Sequence, residues 1–139
     1  MDTLGWMAVG LGCAAAMKDL RRRVIPNWLT GAAVACGLAY HAIRGGAAEA
    51  AIAAAGTLVG FAIFLGFYCL GAMGGGDLKL MAAFGALLGP SGILVTALLA
   101  SMIGGLGAAA ALALDRRRRA IPYGPSIVLG AWLALLAGR

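Results

Sequence analysis

The chain has 139 residues, 63% of them hydrophobic and only 12% charged, with a formal net charge of +6 and a mean hydropathy of +0.95. A soluble domain carries about a quarter charged residues, and here the apolar residues fall in long runs rather than one-sided stripes, so a water-soluble globule is excluded and lipid is the expected solvent. The positive charge is gathered in two clusters, Lys18 with Arg21, Arg22 and Arg23, and Arg116 to Arg119; flanked by apolar sequence, they fit loops beside anionic lipid headgroups and not a nucleic-acid surface.

Charges, glycine clusters and prolines divide the chain into six apolar segments, approximately 3–17, 27–43, 48–71, 78–89, 92–114 and 121–137. A spanning helix needs about 20 residues, with a range of roughly 17–25. The third and fifth segments are long enough and the second and sixth adequate. The first is short, and the fourth is too short to span unaided, which predicts a tilted helix, one held inside the bundle, or a locally thinned bilayer. The expected fold is all-α: a polytopic integral membrane protein of about six transmembrane helices forming a single domain, 1–139.

In chain order, Cys13 follows Gly-Leu-Gly as in a lipoprotein cleavage box, but Asp2 and no basic residue precede it. Residues 1–17 therefore read as a retained membrane helix. Pro26-Asn27 predicts an extended approach to the second helix, because a residue before proline avoids the helical region. Arg44 and Glu49 fall in the loop before the third helix, and the only histidine, His41, reads as an interfacial or packing residue nearby. Gly74-Gly75-Gly76 precedes the fourth helix and predicts a break open to water or substrate. Cys13, Cys36 and Cys69 are isolated, without a C-x-x-C, and read as small buried hydrophobes rather than zinc ligands or a disulfide framework. The 23 glycines predict close approach of helix backbones in lipid.

Orientation follows from the basic residues. With six spans, the loops after the first, third and fifth helices share a side and hold nine basic residues: Lys18, Arg21, Arg22, Arg23, Lys79 and Arg116 to Arg119. The opposite side holds two, Arg44 and Arg139. This split predicts three cytoplasmic loops, with both termini periplasmic.

Five acids exist: Asp2, Asp19, Glu49, Asp77 and Asp115. Asp2 is terminal, Glu49 lies in the outside loop near Arg44, and Asp115 abuts four arginines. Asp19 alone fits a solvated loop acid paired with its arginine neighbours. Asp77, between the glycines and Leu78-Lys79-Leu80-Met81, fits either a helix-capping turn or a carboxylate facing a bundle interior or watery cavity. Lys79 fits an interfacial anchor and a substrate-facing cation equally well. Both Asp19 and Asp77 fall on the expected cytoplasmic side. Two carboxyl groups brought close share a proton, and such a pair hydrolyses peptides without a metal. No Ser-His or Cys-His pairing is available on one side.

Gly74-Gly75-Gly76-Asp77 resembles the Gly-x-Gly-Asp signature of intramembrane aspartyl proteases, and the longer run Gly71 to Leu80 resembles that of type IV prepilin peptidases. Asp19 with Ile25-Pro26-Asn27 is similar to that family's first aspartate and the element downstream of it. Ile121-Pro122-Tyr123-Gly124-Pro125 with Gly130-Ala131-Trp132 is similar to the start of its final helix, although a proline-initiated helix alone gives the same pattern. The three elements occur in order from residue 19 to residue 132.

The resemblance implies a bacterial inner-membrane endopeptidase that cuts the leader of pilin-like precursors after a glycine, at the cytoplasmic face, with a prepilin or pseudopilin as substrate. It implies Asp19 and Asp77 as the catalytic pair, with Gly74, Gly76, Lys79, Pro26 and Asn27 as substrate-binding or structural support, and neither cofactor nor metal. Larger members carry a domain with paired C-x-x-C motifs and also N-methylate the product. This sequence begins at its first helix without those motifs, so it resembles the minimal peptidases of tight-adherence (Flp) pilus systems, and methylation is not expected. The competing expectation is a non-enzymatic membrane protein, a small transporter or an assembly factor, in which Asp77 and Lys79 form a coupling or packing pair.

Overall fold

The computed structural model describes residues 3–22, 24–71, 73–113 and 123–138. Asp2, Arg23, Asp115, the arginines 116–119, Ile121, Pro122 and Arg139 lie outside the described residues. Four helices account for nearly all of the rest: α1 (Thr3–Arg22), α2 (Asn27–Cys69), α3 (Gly75–Ala113) and α4 (Gly124–Ala137). α2, and α3 from Gly75 to Ala110, are long and apolar enough to cross a membrane; α4 is a shorter apolar helix.

The sequence divides into six apolar segments, yet the helices number four, because hydrogen bonding resumes immediately after two sharp bends. In α2, Gly45 and Gly46 leave helical geometry, with Gly46 at φ 68°, ψ −157°. In α3, Gly89 stands at φ 69°, ψ −179°. Only glycine adopts such angles without strain, and Pro90, which lacks an N–H, prevents α3 from running straight on.

The contacts show that both bends are reversals. The first arm of α2 runs alongside the first arm of α3, with Asn27 touching Lys79 and His41 beside Leu87. The second arm of α2 runs against that same stretch: Tyr68 lies beside Gly75 and Ile52 beside Gly89. α3 turns back in the same way. Its second arm runs against α4, with Gly104 under Tyr123 and Thr96 and Ala100 against Gly130. Asp19, Asn27, Gly75 and Gly124 therefore share one end of the bundle, and both reversals lie at the other.

The first arm of α3, corresponding to the segment too short to span alone, is the core of the molecule. Residues 80–87 are all buried, with Leu80, Met81 and Phe84 fully so. A helix apolar on every side belongs inside a bundle. Its neighbours reach it through glycines: a Cβ on Gly37 would lie 2.9 Å from the Ala86 carbonyl oxygen, one on Gly60 2.6 Å from that of Met81, and Gly56 and Gly85 face each other backbone to backbone. Not every glycine serves this purpose, since Gly10, Gly31, Gly66, Gly105 and Gly107 have open space around them.

The outer surface carries Trp6, Leu58, Leu98, Leu106 and Leu136. All three cysteines are exposed there too, contrary to the expectation that they are buried. Lipid tails are as apolar as a protein interior, so a small apolar side chain gains little from facing inward. Glu49 also departs from its expected place: it lies within α2, and its carboxylate is 3.6 Å from Nδ1 of His41. Arg44 instead sits over the Tyr40 ring, 5.9 Å from its centroid.

Candidate active site

Asp19 is close to the C-terminal end of α1, where the helix dipole disfavours a carboxylate; Arg21 and Arg22 in the last turn are the residues that position favours. Asp19 is nevertheless buried, at 7% exposure, which rules out the solvated loop acid. Help comes from the far end of the chain. The backbone N–H of Gly124, the first residue of α4, donates to Asp19 Oδ2 at 3.0 Å. That places the positive end of the α4 dipole on the carboxylate.

Asp77 occupies the opposite situation, in the first turn of α3. Its N–H and that of Leu78 donate to the Gly74 carbonyl, at 3.2 and 3.4 Å, and its carboxylate lies back beside Gly74, where a Cβ would stand 3.7 Å from Oδ2. This is a local capping arrangement, yet the side chain is buried, at 9% exposure. Asp19 is near enough for its charge to act on Asp77. The two acids thus lie within range of each other's charge although 58 positions separate them in the sequence.

The remaining sequence-derived residues gather around this pair. Ile25 is buried and packs on Gly76, where a Cβ would stand 3.3 Å from the Ile25 Cβ. Pro26, extended at φ −67°, ψ 139°, is the N-cap of α2; its carbonyl accepts from the amides of Leu29 and Thr30. Lys79 Nζ donates to Asn27 Oδ1 at 2.7 Å. Beside that contact is an open hollow lined by Thr30, Gly31, Val34, Phe61 and Ala82. Gly74, Gly76, Lys79, Pro26 and Asn27 are therefore all brought to the same end as the two acids.

Two residues there have no assigned role in the sequence reading beyond starting a helix. Tyr123 precedes Gly124, and its ring covers Gly104. Burial holds the phenol above its ordinary range, the nearby Ser101 side chain opposes this, and the charge of Asp77 adds to it. The phenol is therefore a neutral O–H at physiological pH. Pro122-Tyr-Gly-Pro125 was the available signal, but the partner of its amide lies 105 residues away. Among the described residues, no three His, Cys, Asp or Glu side chains are grouped as a metal site requires.

Residues 6–109 match the model of the type IV leader peptidase family. The chain belongs to this family. It is 33% identical over 143 residues to a prepilin leader peptidase/N-methyltransferase of Aeromonas hydrophila, covering 97% of this chain and 48% of that protein. To the protein of the same name from Xanthomonas campestris it is 30% identical over 149 residues, covering 97% and 52%. A third, from Bacillus subtilis, is 39% identical over 70 residues, 49% of this chain and 28% of its own length. The chain spans about half the length of the first two. No solved structure matches it.

Proposed function

We propose that this chain is a membrane aspartyl endopeptidase that removes the leader of pilin-like precursors. The observation that supports the reading is the burial of two carboxyl groups, Asp19 from α1 and Asp77 from α3, at one end of the bundle and within range of each other's charge. Burying two acids near each other is costly and gains nothing for packing, whereas peptide hydrolysis needs such a pair. The ionised carboxylate takes a proton from a water, whose oxygen attacks the scissile carbonyl carbon. The protonated carboxyl donates to the carbonyl oxygen. The tetrahedral diol then collapses: the carbonyl re-forms, the C–N bond breaks, and the departing nitrogen takes a proton.

In this reading the arms of α2 and α3, with α1 and α4, cross the bacterial inner membrane six times, and residues 1–139 are one transmembrane peptidase domain. The distribution of basic residues supports a site on the cytoplasmic side, where a precursor emerging from synthesis would meet it. Exposed Trp28, at the start of α2, suits the membrane–water boundary. Lipid surrounds the exposed apolar faces. Asp19 and Asp77 are the catalytic pair; Gly74, Gly76, Pro26, Asn27 and Lys79 shape the ground on which the substrate rests.

Co-expression with a prepilin, followed by mass spectrometry of the pilin, tests this. The expected product begins immediately after a glycine and carries no added methyl group. An intact leader would favour the non-enzymatic alternative.

A further inference from the structure

The peptidase reading leaves open what fixes the direction of the Asp19 carboxylate. That carboxylate sits near the C-terminal end of its own helix, where the dipole disfavours it. The Gly124 N–H reaches it, at 3.0 Å from Oδ2, and the fit leaves no slack: a Cβ on Gly124 would stand 2.5 Å from Oδ2 and 2.9 Å from Cγ. The amide is held in turn by its predecessor. The Tyr123 ring and hydroxyl lie where a side chain on Gly104 of α3 would be, and the Tyr123 carbonyl starts α4 by accepting from Ser126 and Ile127.

We propose that Tyr123 and Gly124 are positioning residues for Asp19, a latch in which the phenol, seated on Gly104, aims the Gly124 amide at the catalytic carboxylate. The latch rests on the peptidase reading. It joins three helices at one point, since Gly104 belongs to α3, Gly124 to α4 and Asp19 to α1. It also makes the start of α4 part of the catalytic geometry and not merely a helix beginning. Neither residue touches the substrate in this role; both act through Asp19.

Steady-state cleavage of a purified prepilin by the full chain in lipid nanodiscs tests the proposal. Tyr123→Ala, which removes the ring, and Gly104→Ala, which displaces it, should each lower kcat by about ten-fold, with KM changed less than about two-fold. Because both break the same contact, the double variant should be no slower than either single one. Tyr123→Phe, which keeps the ring on Gly104, should hold kcat to within about two-fold, and Gly124→Ala should lose at least about 100-fold. The proposal is overturned if Tyr123→Ala and Gly104→Ala keep full kcat, if their effects multiply, or if the loss falls on KM. Wild-type protein that does not cut would instead bring down the peptidase reading itself, and the latch with it.

Discussion

The two ends of the bundle handle glycine and charge in contrasting ways. At the reversal end, Gly46 and Gly89 are used for their backbones: positive φ bends α2 and α3 back on themselves, and no side chain is pressed against Gly46. The polar side chains nearby find partners within the same helix, as His41 does with Glu49. At the site end, Gly76 and Gly124 are used for the space they leave. The acids there are buried, and one is held by an amide 105 residues distant. The first end makes the fold compact. The second spends stability on placing two carboxyl groups together, as functional sites commonly do.

If that division is right, substitutions at the two ends have separable effects. The largest falls on the site. Asp19→Asn or Asp77→Asn should lower cleavage by about 10²–10⁴-fold, the range for general acid–base groups. The double variant should be little worse than either single, because the pair acts as one unit. Both proteins should insert and accumulate normally, since an amide fills the same volume. Loss of accumulation would mean that the acids hold the fold together, and the contrast between the ends would fail.

Between the ends lies the α2–α3 seam. Gly85→Ala drives a methyl group into the Gly56 carbonyl, so the helices must part, at a cost of about 1–3 kcal/mol. An unchanged midpoint in detergent-induced unfolding would show the seam to be looser than described. At the reversals, Gly46→Ala and Gly89→Ala meet no steric obstacle within 3.4 Å and should cost only the backbone strain, about 1–2 kcal/mol. Cleavage below the unfolding midpoint should stay at the wild-type rate. A loss of activity without loss of stability would couple the reversals to the site.

The smallest effect should come from Lys79→Met. The Lys79–Asn27 hydrogen bond is exposed, so its removal should change stability by less than about 1 kcal/mol. Any larger change in kcat or KM would move Lys79 from support to substrate contact.

Much of this was legible in the sequence because its signals are local. Gly45-Gly46 and Gly89-Pro90 break the apolar runs where the chain turns back, and Gly74-Gly75-Gly76-Asp77 marks an acid at the start of a helix. The Pro26-Asn27 pair reads correctly as an extended lead into α2. What the sequence left open or misjudged depends on distant partners or on the solvent. Asp19 taken alone fits a solvated acid among arginines, because nothing near it announces the Gly124 amide, and it reads as a site residue only together with Asp77. Glu49 looked like a loop acid beside Arg44, yet the reversal turns it toward His41. The cysteines looked buried because water was the implicit reference, whereas in lipid an apolar side chain is equally at home outside.

The central claim is that Asp19 and Asp77 meet as one pair. A crosslinking experiment tests it most directly, using the full chain in native membranes with Cys13, Cys36 and Cys69 each replaced by serine. In that background the double variant Asp19→Cys/Asp77→Cys should be bridged by a short bifunctional thiol reagent. The control Asn27→Cys/Lys79→Cys, built on a contact at the same end of the bundle, should be bridged in parallel. Bridging of both pairs is the predicted result. Bridging of the control alone, with and without prepilin present, would leave the two acids apart and contradict the account.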